Sequence, residues 1–382
     1  MQILHVVAGI EQISGGPSQA AVAICHALNE AGVESHIVTT KDPINRYKLV
    51  DFETVSNRII FFERWQNDYF AFSSALRKWL NLNIKKYQLV HIHGFFNYPS
   101  YTAATCARKN GVPYLIRPAG ALNEWAIQNQ SWKKLFWIKF IEKQNLNRAS
   151  VLHATSHKEA GCLSSLINND RIHVIPLGVY LPDYHEQENR LKEQPLQILF
   201  LSRITPKKNL PLLLCAIKKI VSRHIPVVLR IAGKPDPGME SYEHELRSLV
   251  KQMDLDKFIE FLGFVDGDIK TAEFNRSHVF VLPSSDENFG IAVAEAMAHG
   301  LPVIISKQVA LAEDVINSNA GLAVDCEDVN GLADAIETLY KDENLRLKMS
   351  QQSRCLASRF SWSSTADALT DLYSKILQEK LP

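Results

Sequence analysis

The sequence lacks any apolar run approaching the roughly 18 residues of a membrane span, and its start, MQILHVVAGI, has no basic segment ahead of an apolar one. We therefore expect no signal peptide and a cytoplasmic protein. An excess of charge of one sign is also missing, since 42 Lys and Arg stand against 41 Asp and Glu, a formal net charge of +1. Because no basic field attracts polyanions, nucleic acid is not an expected partner.

Cysteine motifs and sequence repeats are absent as well. The six cysteines lie far apart and form no C-x-x-C pair, so neither a structural zinc site nor a redox dithiol is indicated, and buried reduced thiols are expected. The missing repeat of fixed short period excludes solenoids and propellers. The missing G-x-G-x-x-G pattern counts against a nicotinamide-dependent dehydrogenase.

Short apolar runs alternate with stretches of helical period along the whole chain. Continuous Val, Ile and Leu runs indicate strands buried on both faces, and helices between them imply parallel sheets. The predicted strands are Ile3 to Ala8, Ser35 to Thr39, Leu89 to His93, Tyr114 to Arg117, Val151 to Thr155, Gln197 to Leu201, Val227 to Ala232, Ile259 to Leu262, Val279 to Leu282 and Val303 to Ser306. The fold class is therefore α/β.

The run DYHEQENRLKEQ, residues 183–194, has no aliphatic residue but Leu191, and new strand-helix units begin directly after it. We therefore predict two doubly wound Rossmann-like domains, residues 1–180 and 181–360, that face each other across a cleft. The periodicity of a final amphipathic helix, residues 361–382, fits either domain, and we assign that helix to the first.

Open α/β sheets bind ligands beyond the carboxyl ends of their strands, so the loops there are the first candidates for a binding site. After the first strand, Gly15 and Gly16 precede Pro17, which suits either a close backbone approach to a phosphate or sugar, or an ordinary tight turn. After the strand ending at Leu201, the loop SRITPKKN holds Arg203 and Lys208. Two cations there can neutralise a pyrophosphate without a metal, or form a solvated basic turn.

The stretch SSDENFGIAVAEAMAHGLPVIIS, residues 284–306, is the most informative. A helix is expected to begin near Phe289 and Gly290, with Gly300 at its C-terminal end, which places Glu287 before the helix and Glu295 in its second turn. Carboxylates at these places can bind sugar hydroxyls, beside the free N–H groups of residues 288–291. The alternative is an acidic cap and a solvated glutamate, but the flanks AVAEAMA are too apolar for a freely exposed face.

Asp266, Gly267 and Asp268 form a D-x-D sequence, a pair of carboxylates of the kind that can hold a divalent metal. Asp-Gly is also a common turn, and Asp268 stands where the N-cap of a helix is expected. We favour the turn and cap, and predict no metal site.

These motifs resemble the retaining nucleotide-sugar glycosyltransferases of family four, which have the two-domain GT-B fold. Glu287 and Glu295 match the family's E-x7-E element, and SRITPKKN resembles its Arg-x4-Lys element. The glycine pair, the segment FLGFV and the final helix FSWSSTADALTDLY are similar to further family elements in the same order. The resemblance covers essentially the whole chain.

The resemblance implies which residues bind the donor. Arg203 and Lys208 would bind the diphosphate, and Glu295 the ribose hydroxyls. Glu287 and the backbone of the segment Asn288, Phe289 and Gly290 would bind the donor sugar. The base would lie near Gly263 and Phe264, and the pair Gly15 and Gly16 would also approach the donor. Arg203, Lys208, Glu287 and His93 are the predicted catalytic residues.

On the acceptor side the resemblance implies His93, in the sequence HIHGFF, at a strand end. His91 lies on the same side of that strand, so one of the two histidines could be a hydrogen-bonded core residue instead. The relatives often carry His or Arg where this chain has Ala119, so Arg117 is a second acceptor-side candidate.

The implied function is retaining, metal-independent transfer of a sugar from a nucleotide diphosphate sugar, UDP rather than GDP, to a hydroxyl of a glycan or lipid-linked acceptor, as in polysaccharide biosynthesis. No cofactor is expected. The alternative is a non-enzymatic two-domain sugar-binding protein. The basic, aromatic stretch 130–150 suits a peripheral contact with an anionic membrane or packing on the sheet, and we favour packing.

Overall fold

In a computed structural model of the chain, the structure describes residues 1–11, 16–42, 49, 53–65, 70–122, 142–165, 169–182 and 195–379. The chain divides into two compact units, one formed by Met1–Gly178 with Trp362–Pro382 and the other by Val179–Ser361. The final helix therefore belongs to the first unit. The predicted linker, residues 183–194, lies outside the described residues.

The first unit contains a seven-stranded sheet in the order β3-β2-β1-β4-β5-β6-β7, with every pair of neighbours parallel. Its strands are β1 (Gln2–Gly9), β2 (Glu34–Lys41), β3 (Ile59–Glu63), β4 (Leu89–His93), β5 (Tyr114–Arg117), β6 (Val151–Ala154) and β7 (Ile172–Val174). Its described helices before the linker are α1 (Gly16–Glu30), α2 (Ser74–Asn83), α3 (Tyr98–Asn110), α4 (Lys143–Arg148) and α5 (His157–Ser164).

The second unit contains a six-stranded parallel sheet in the order β10-β9-β8-β11-β12-β13. Its strands are β8 (Leu196–Leu201), β9 (Val227–Ala232), β10 (Ile259–Gly263), β11 (Val279–Leu282), β12 (Val303–Ser306) and β13 (Gly321–Val324). Its helices are α6 (Leu210–Ser222), α7 (Glu240–Gln252), α8 (Gly267–Arg276), α9 (Ile291–Ala298), α10 (Ala312–Asn317), α11 (Val329–Lys341) and α12 (Glu343–Ser358). The last described element is α13 (Trp362–Glu379), in the first unit.

All of the predicted strands are present, most within one residue of their predicted ends, and the α/β fold class with two parallel Rossmann-like sheets is confirmed. The prediction missed β3, β7 and β13, which are all edge strands. Most of their residues are only partly buried. β7 (IHV) and β13 (GLAV) carry no long aliphatic run, which an edge strand does not need because part of its surface stays in water. β3 (IIFFE) does carry an apolar run, so this reason does not apply to it.

Four buried histidines lie side by side on one face of the first sheet, at His5 on β1, His91 and His93 on β4, and His153 on β6. The rings of His91 and His93 stack with their centroids 4.1 Å apart. Buried polar groups require hydrogen-bond partners, so the protonation of these rings follows from their neighbours.

Arg117 determines which nitrogen carries the proton in the rings of His93 and His5. Its Nε donates to Nδ1 of His93 at 3.0 Å, and a guanidinium can only donate. His93 therefore carries its proton on Nε2, which lies 2.9 Å from Nδ1 of His5 and donates to it. In this arrangement both histidines are neutral, with the proton on Nε2.

The other two rings follow the same rule. Nε2 of His153 lies 2.8 Å from the carbonyl oxygen of Ile175, which can only accept. Nδ1 of His153 then accepts from Nε2 of His91 at 3.3 Å. Nδ1 of His91 in turn accepts from the hydroxyl of Tyr373 at 2.7 Å, so a buried hydrogen bond ties α13 to β4.

The surroundings of these rings favour the neutral form. Burial, and secondarily the charge of Arg117, lowers the pKa of His5 and of His153 to about 3. Burial likewise lowers the pKa of His91 and His93 well below the usual value. The network is therefore uncharged apart from Arg117.

Replacing Tyr373 by Phe should destabilise the first unit, because Nδ1 of His91 would lose its donor in a buried place. We expect a loss of about 1 to 3 kcal/mol in the free energy of unfolding, measured by urea titration. Tyr87→Phe is the matched control, since it removes the hydroxyl of a partly buried tyrosine and keeps the ring contacts with His36 and Trp79. Equal losses in the two variants would contradict the assigned hydrogen bond.

Acid should destabilise the first unit. The folded-state pKa values of the four histidines are lowered, so the unfolded chain binds more protons than the folded chain below about pH 6.5. Stability is then greatest above that pH and falls by about 1.4 kcal/mol per pH unit for each histidine as pH decreases toward the folded-state values. Urea unfolding at a series of pH values, monitored by pulsed hydrogen exchange, should show that the backbone amides of β4 lose more protection than those of β11 as the pH decreases. A flat profile for β4 would contradict the neutral network.

Candidate active site

The predicted donor residues of the second unit occupy loops that leave the carboxyl ends of parallel strands. Arg203 and Lys208 follow β8, and Glu287 follows β11, its neighbour in the sheet. Gly263 ends β10. Because these strands are parallel, the loops share one edge of the sheet, where doubly wound folds bind ligands.

The structure brings Lys208 and Glu287 into direct contact. A 3₁₀ turn, Pro206–Lys208, follows the β8 loop, and Asn209 in the left-handed conformation (φ +55°) leads into α6. Lys208 is only 7% exposed, and its Nζ pairs with Oε2 of Glu287. A buried ammonium needs such a partner, so the two residues form one preorganised charged unit.

Backbone hydrogen bonds hold the loop that carries Glu287. The amide of Ser285 donates to the carbonyl of Lys207 at 2.9 Å, which joins this loop to the one after β8. On its other side, the carbonyl of Glu287 accepts from the amide of Ala310 at 3.2 Å, so the loop after β12 supports it. Glu287 is therefore positioned by main-chain contacts in two directions.

Helix α9 begins as predicted, directly after Gly290, and ends before Gly300, which has a positive φ of +71°. Gly290 has a φ of +96°, and a Cβ there would lie 3.3 Å from Val309, so this position favours glycine. Phe289 is buried and packs edge-on against Phe360, with the ring centroids 5.7 Å apart. Phe289 can therefore contact a donor sugar only through its backbone.

Glu295 lies on α9 with buried residues on both sides, which agrees with the inference that its face is not freely exposed. Its Oε1 accepts from Nζ of Lys270 on α8 at 2.7 Å, and both side chains are partly buried. The sequence gives no sign of this role of Lys270, because no local spacing relates a residue on α8 to one on α9.

Arg203 is paired with Asp236, a residue that the sequence analysis also missed. Nη1 of Arg203 lies 3.0 and 2.9 Å from the two carboxylate oxygens, and the Arg203 side chain is 57% exposed. Asp236 belongs to the loop after β9. The signal that could have indicated it is the sequence Pro-Asp-Pro-Gly at a strand end, a rigid turn beside the predicted phosphate loop.

Gly263 and Phe264 lie at the same edge of the second sheet. Gly263 has a φ of +71°, and its carbonyl accepts from the amide of Gly233 at 2.7 Å. Phe264 is 44% exposed, with Nζ of Lys234 5.9 Å from its ring centroid. An exposed aromatic face at this edge can stack on a nucleobase.

The D-x-D segment forms a helix start, with a correction to the predicted cap. Helix α8 begins at Gly267, so Asp266 occupies the N-cap position and Asp268 lies within the first turn. Asp268 is therefore not the N-cap. Its place still follows the first-turn preference for acidic residues, since the N-terminal end of a helix carries a partial positive charge.

In the part of the chain that the structure describes, three side chains of metal-binding type come together at His5, His91 and His93, all buried. Their Nδ1 atoms already accept hydrogen bonds from His93, Tyr373 and Arg117 respectively. A metal on Nδ1 would have to displace these donors, and a metal on Nε2 of His91 or His93 would have to replace the proton that these atoms donate to His153 and His5, in both cases beside a guanidinium charge. The cluster therefore fits a structural role.

The predicted acceptor residues His93 and Arg117 are both buried. The ring nitrogens of His93 bond to His5 and Arg117, and Nη2 of Arg117 donates to the carbonyl of Pro17 at 2.9 Å. Arg117 thus links β5 to the start of α1. This geometry gives no support to direct contact of either residue with an acceptor, because water-accessible surface is what such contact requires.

The remaining predicted residues of the first unit are only partly described. Gly16 is the first residue of α1, whereas Gly15 lies outside the described residues. Ala119 has a φ of +55°, and the adjacent amide of Gly120 donates to Glu159 at 2.7 Å. Of the stretch 130–150, residues 130–141 are likewise outside the described part, so the favoured packing of its aromatic residues stays a prediction, as does the alternative of membrane contact.

None of the described helices combines the length and the apolar character needed to cross a membrane.

Family models match nearly the whole chain. The model described as "Glycosyltransferase Family 4" matches residues 14–181, and the model described as "Glycosyl transferases group 1" matches residues 183–355. The two matches meet at the start of the predicted linker.

Curated relatives carry glycosyltransferase names. The chain is 30% identical over 254 residues to a D-inositol 3-phosphate glycosyltransferase of Corynebacterium efficiens. The matched region covers 62% of this chain and 59% of that protein. The chain is 31% identical over 192 residues to an uncharacterized glycosyltransferase of Methanocaldococcus jannaschii, 50% of this chain and 47% of that protein. The chain thus matches about half to three-fifths of the length of these relatives.

Solved structures show the same fold over the whole chain. A sucrose-phosphate synthase from Thermosynechococcus elongatus superposes with a TM-score of 0.79 at 22% identity, covering 99% of this chain and all of that one. The Anabaena HepE protein, crystallised in complex with UDP and glucose, also gives a TM-score of 0.79, at 17% identity over 98% of this chain and all of that one. With both family models matched in order and two parallel Rossmann-like units, the chain belongs to the family-four glycosyltransferases of the GT-B fold.

Proposed function

We propose that this chain transfers a sugar, with retention of anomeric configuration and without a metal ion, from a nucleotide diphosphate sugar to a hydroxyl group of a glycan or lipid-linked acceptor. The observation that carries the proposal is the contact between Lys208 and Glu287 at the carboxyl edge of the second sheet. It joins a cation suited to the diphosphate and a carboxylate suited to sugar hydroxyls. The relatives named D-inositol 3-phosphate glycosyltransferases support a hydroxyl acceptor, and the UDP-bound HepE structure supports UDP as the nucleotide.

Stabilisation of the leaving group is the main chemical task in this proposal. As the glycosidic bond to phosphate breaks, negative charge grows on the diphosphate oxygens, while the sugar approaches an oxocarbenium ion. Lys208 is buried and held by Glu287, so little reorganisation is needed when that charge develops. Arg203, earlier in the same segment after β8, adds a second cation with a planar fork for phosphate oxygens.

Glu287 contributes through the carboxylate oxygen that does not pair with Lys208. Oε2 contacts the ammonium, which leaves Oε1 for a donor-sugar hydroxyl. A carboxylate paired with a buried ammonium is a weak nucleophile, which supports a front-face mechanism without a covalent intermediate. In that mechanism the leaving phosphate takes the proton of the acceptor hydroxyl.

Glu295 is assigned to the ribose. Lys270 holds one of its oxygens from α8, which keeps the carboxylate in one orientation. A carboxylate so placed can accept hydrogen bonds from two neighbouring ribose hydroxyls. Phe264, exposed at the end of β10, offers a stacking surface for the base.

Substitutions of the two glutamates should separate nucleotide binding from sugar transfer. Glu295→Ala should weaken UDP binding by about 1.5 to 3 kcal/mol for each lost charged hydrogen bond, whether or not a sugar is attached. Glu287→Gln should not weaken UDP binding, because the carboxylate it removes pairs with a diphosphate-binding cation, Lys208. It should lower kcat, because the contact of Glu287 with the sugar tightens only as the sugar ring flattens. The measurements are calorimetric titration with UDP and steady-state kinetics with the UDP-sugar that gives the largest thermal shift.

The control for these variants is Glu243→Ala, which breaks a 2.7 Å ion pair with Arg247 on α7, a helix without predicted donor residues. It should change neither UDP affinity nor kcat. If Glu287→Gln loses UDP affinity as severely as Glu295→Ala, the division of roles is wrong. If neither substitution has an effect, the proposed donor site is wrong.

Removal of divalent metal should not change the transfer rate, because Arg203 and Lys208 supply the positive charge that a metal would otherwise provide. The test compares initial rates in EDTA with rates in added Mn²⁺ or Mg²⁺. Loss of activity in EDTA that Mn²⁺ restores would contradict the prediction. Asp266→Asn and Asp268→Asn would then identify which carboxylate binds the metal.

A further inference from the structure

The ion pair between Arg203 and Asp236 places a carboxylate on the guanidinium that the proposed function assigns to the donor diphosphate. One nitrogen of Arg203 contacts both oxygens of Asp236, at 3.0 and 2.9 Å. Carboxylates and phosphates are the two anions that guanidinium groups bind best, through the same N–H donors. Asp236 and the diphosphate are therefore competitors for one cation.

The backbone around Asp236 is rigid. Asp236 stands between Pro235 and Pro237, and the residue before a proline is confined to extended conformations. The amide of Met239 donates to the carbonyl of Asp236 at 2.9 Å, and Gly238 has a φ of +84°, as in a turn with Pro at its second position and Gly at its third. The carboxylate is thus presented from a fixed turn.

The loop of Asp236 is also attached to the loop of Arg203. The amide of Ile204 donates to the carbonyl of Lys234 at 2.8 Å, and Ile204 and Pro235 form a parallel bridge. At Gly233, with a φ of +146°, a Cβ would collide with the carbonyl oxygen of Ser202, so the two loops approach as closely as a glycine allows. The pairing of Arg203 with Asp236 therefore follows from the main chain.

The ion pair is exposed enough to exchange partners. The side chains of Arg203 and Asp236 are 57% and 29% exposed, in contrast to the buried Lys208. Exposed pairs are weak, so a diphosphate can displace the carboxylate at small cost. The same exposure lets the carboxylate return as soon as the diphosphate leaves.

We propose that Asp236 is an internal anion that occupies Arg203 whenever the diphosphate is absent, and that it thereby lowers the affinity for the nucleotide diphosphate and speeds its release after transfer. This inference rests on the proposed function, which assigns the diphosphate to Arg203. Asp236 would then be a further residue that sets how tightly the nucleotide diphosphate product is held. A transferase must release that product before it binds the next donor.

Asp236→Asn is the direct test, because it keeps the size of the side chain and removes its charge. We expect the variant to bind UDP about fivefold more tightly than the unsubstituted protein, from the loss of a weak competing ion pair. Stopped-flow displacement should show slower UDP dissociation. Binding of uridine, which has no phosphate, should not change. A gain in affinity for UDP alone cannot come from partial unfolding.

The matched control is Asp334→Asn, the same substitution at an exposed aspartate paired with an arginine, 2.7 Å from Arg223. It should leave UDP and uridine binding unchanged. Unchanged or weaker UDP binding by Asp236→Asn would overturn the inference, as would equal tightening for uridine.

Arg203→Ala separates failure of this inference from failure of the proposed function. If Arg203→Ala weakens UDP binding while Asp236→Asn does not strengthen it, only the role of Asp236 is wrong. If Arg203→Ala leaves UDP binding unchanged, the assignment of the diphosphate to Arg203 fails, and the inference fails with it. In the double variant, the effect of Asp236→Asn should disappear.

Discussion

Parallel strand pairing is the constraint on which the candidate site depends. In the second sheet, β8 lies between β9 and β11, so the loops carrying Arg203, Asp236 and Glu287 leave neighbouring strands in the same direction. Main-chain hydrogen bonds then join these loops to one another. Residues far apart in the chain are thus brought together by backbone geometry, and side-chain contacts only complete the arrangement.

The charged residues of this site neutralise one another in pairs that differ in burial. Lys208 with Glu287 is the most buried pair, Lys270 with Glu295 is partly buried, and Arg203 with Asp236 is the most exposed. Breaking a buried pair is costly, whereas an exposed pair contributes little. This difference in burial suits a site in which the Lys208–Glu287 pair stays together as a preorganised unit, while Arg203 can leave Asp236 to bind the ligand.

The first unit places polar groups in its interior for a different purpose. Its four buried histidines have their protons oriented by Arg117 at one end and by the Ile175 carbonyl at the other. Tyr373 joins this network from α13, so the end of the chain is tied to the sheet by hydrogen bonding as well as by apolar packing. A polar core of this kind is stable only while the imidazoles are neutral, which links the stability of the unit to pH.

The sequence by itself determined the α/β class and the central strands, because buried parallel strands need continuous aliphatic runs. It also located the segments that hold Arg203, Lys208, Glu287 and Glu295, because strand ends need turn residues and the helix after them has its own start signals. It did not reveal three of the four edge strands, β3, β7 and β13, most of whose residues are only partly buried. Only the tertiary structure decided which charges pair, since Lys270 and Asp236 lie 25 and 33 residues from their partners. It also decided that His93 and Arg117 lie in the interior, because a histidine at a strand end has the same local sequence whether it faces a ligand or the core.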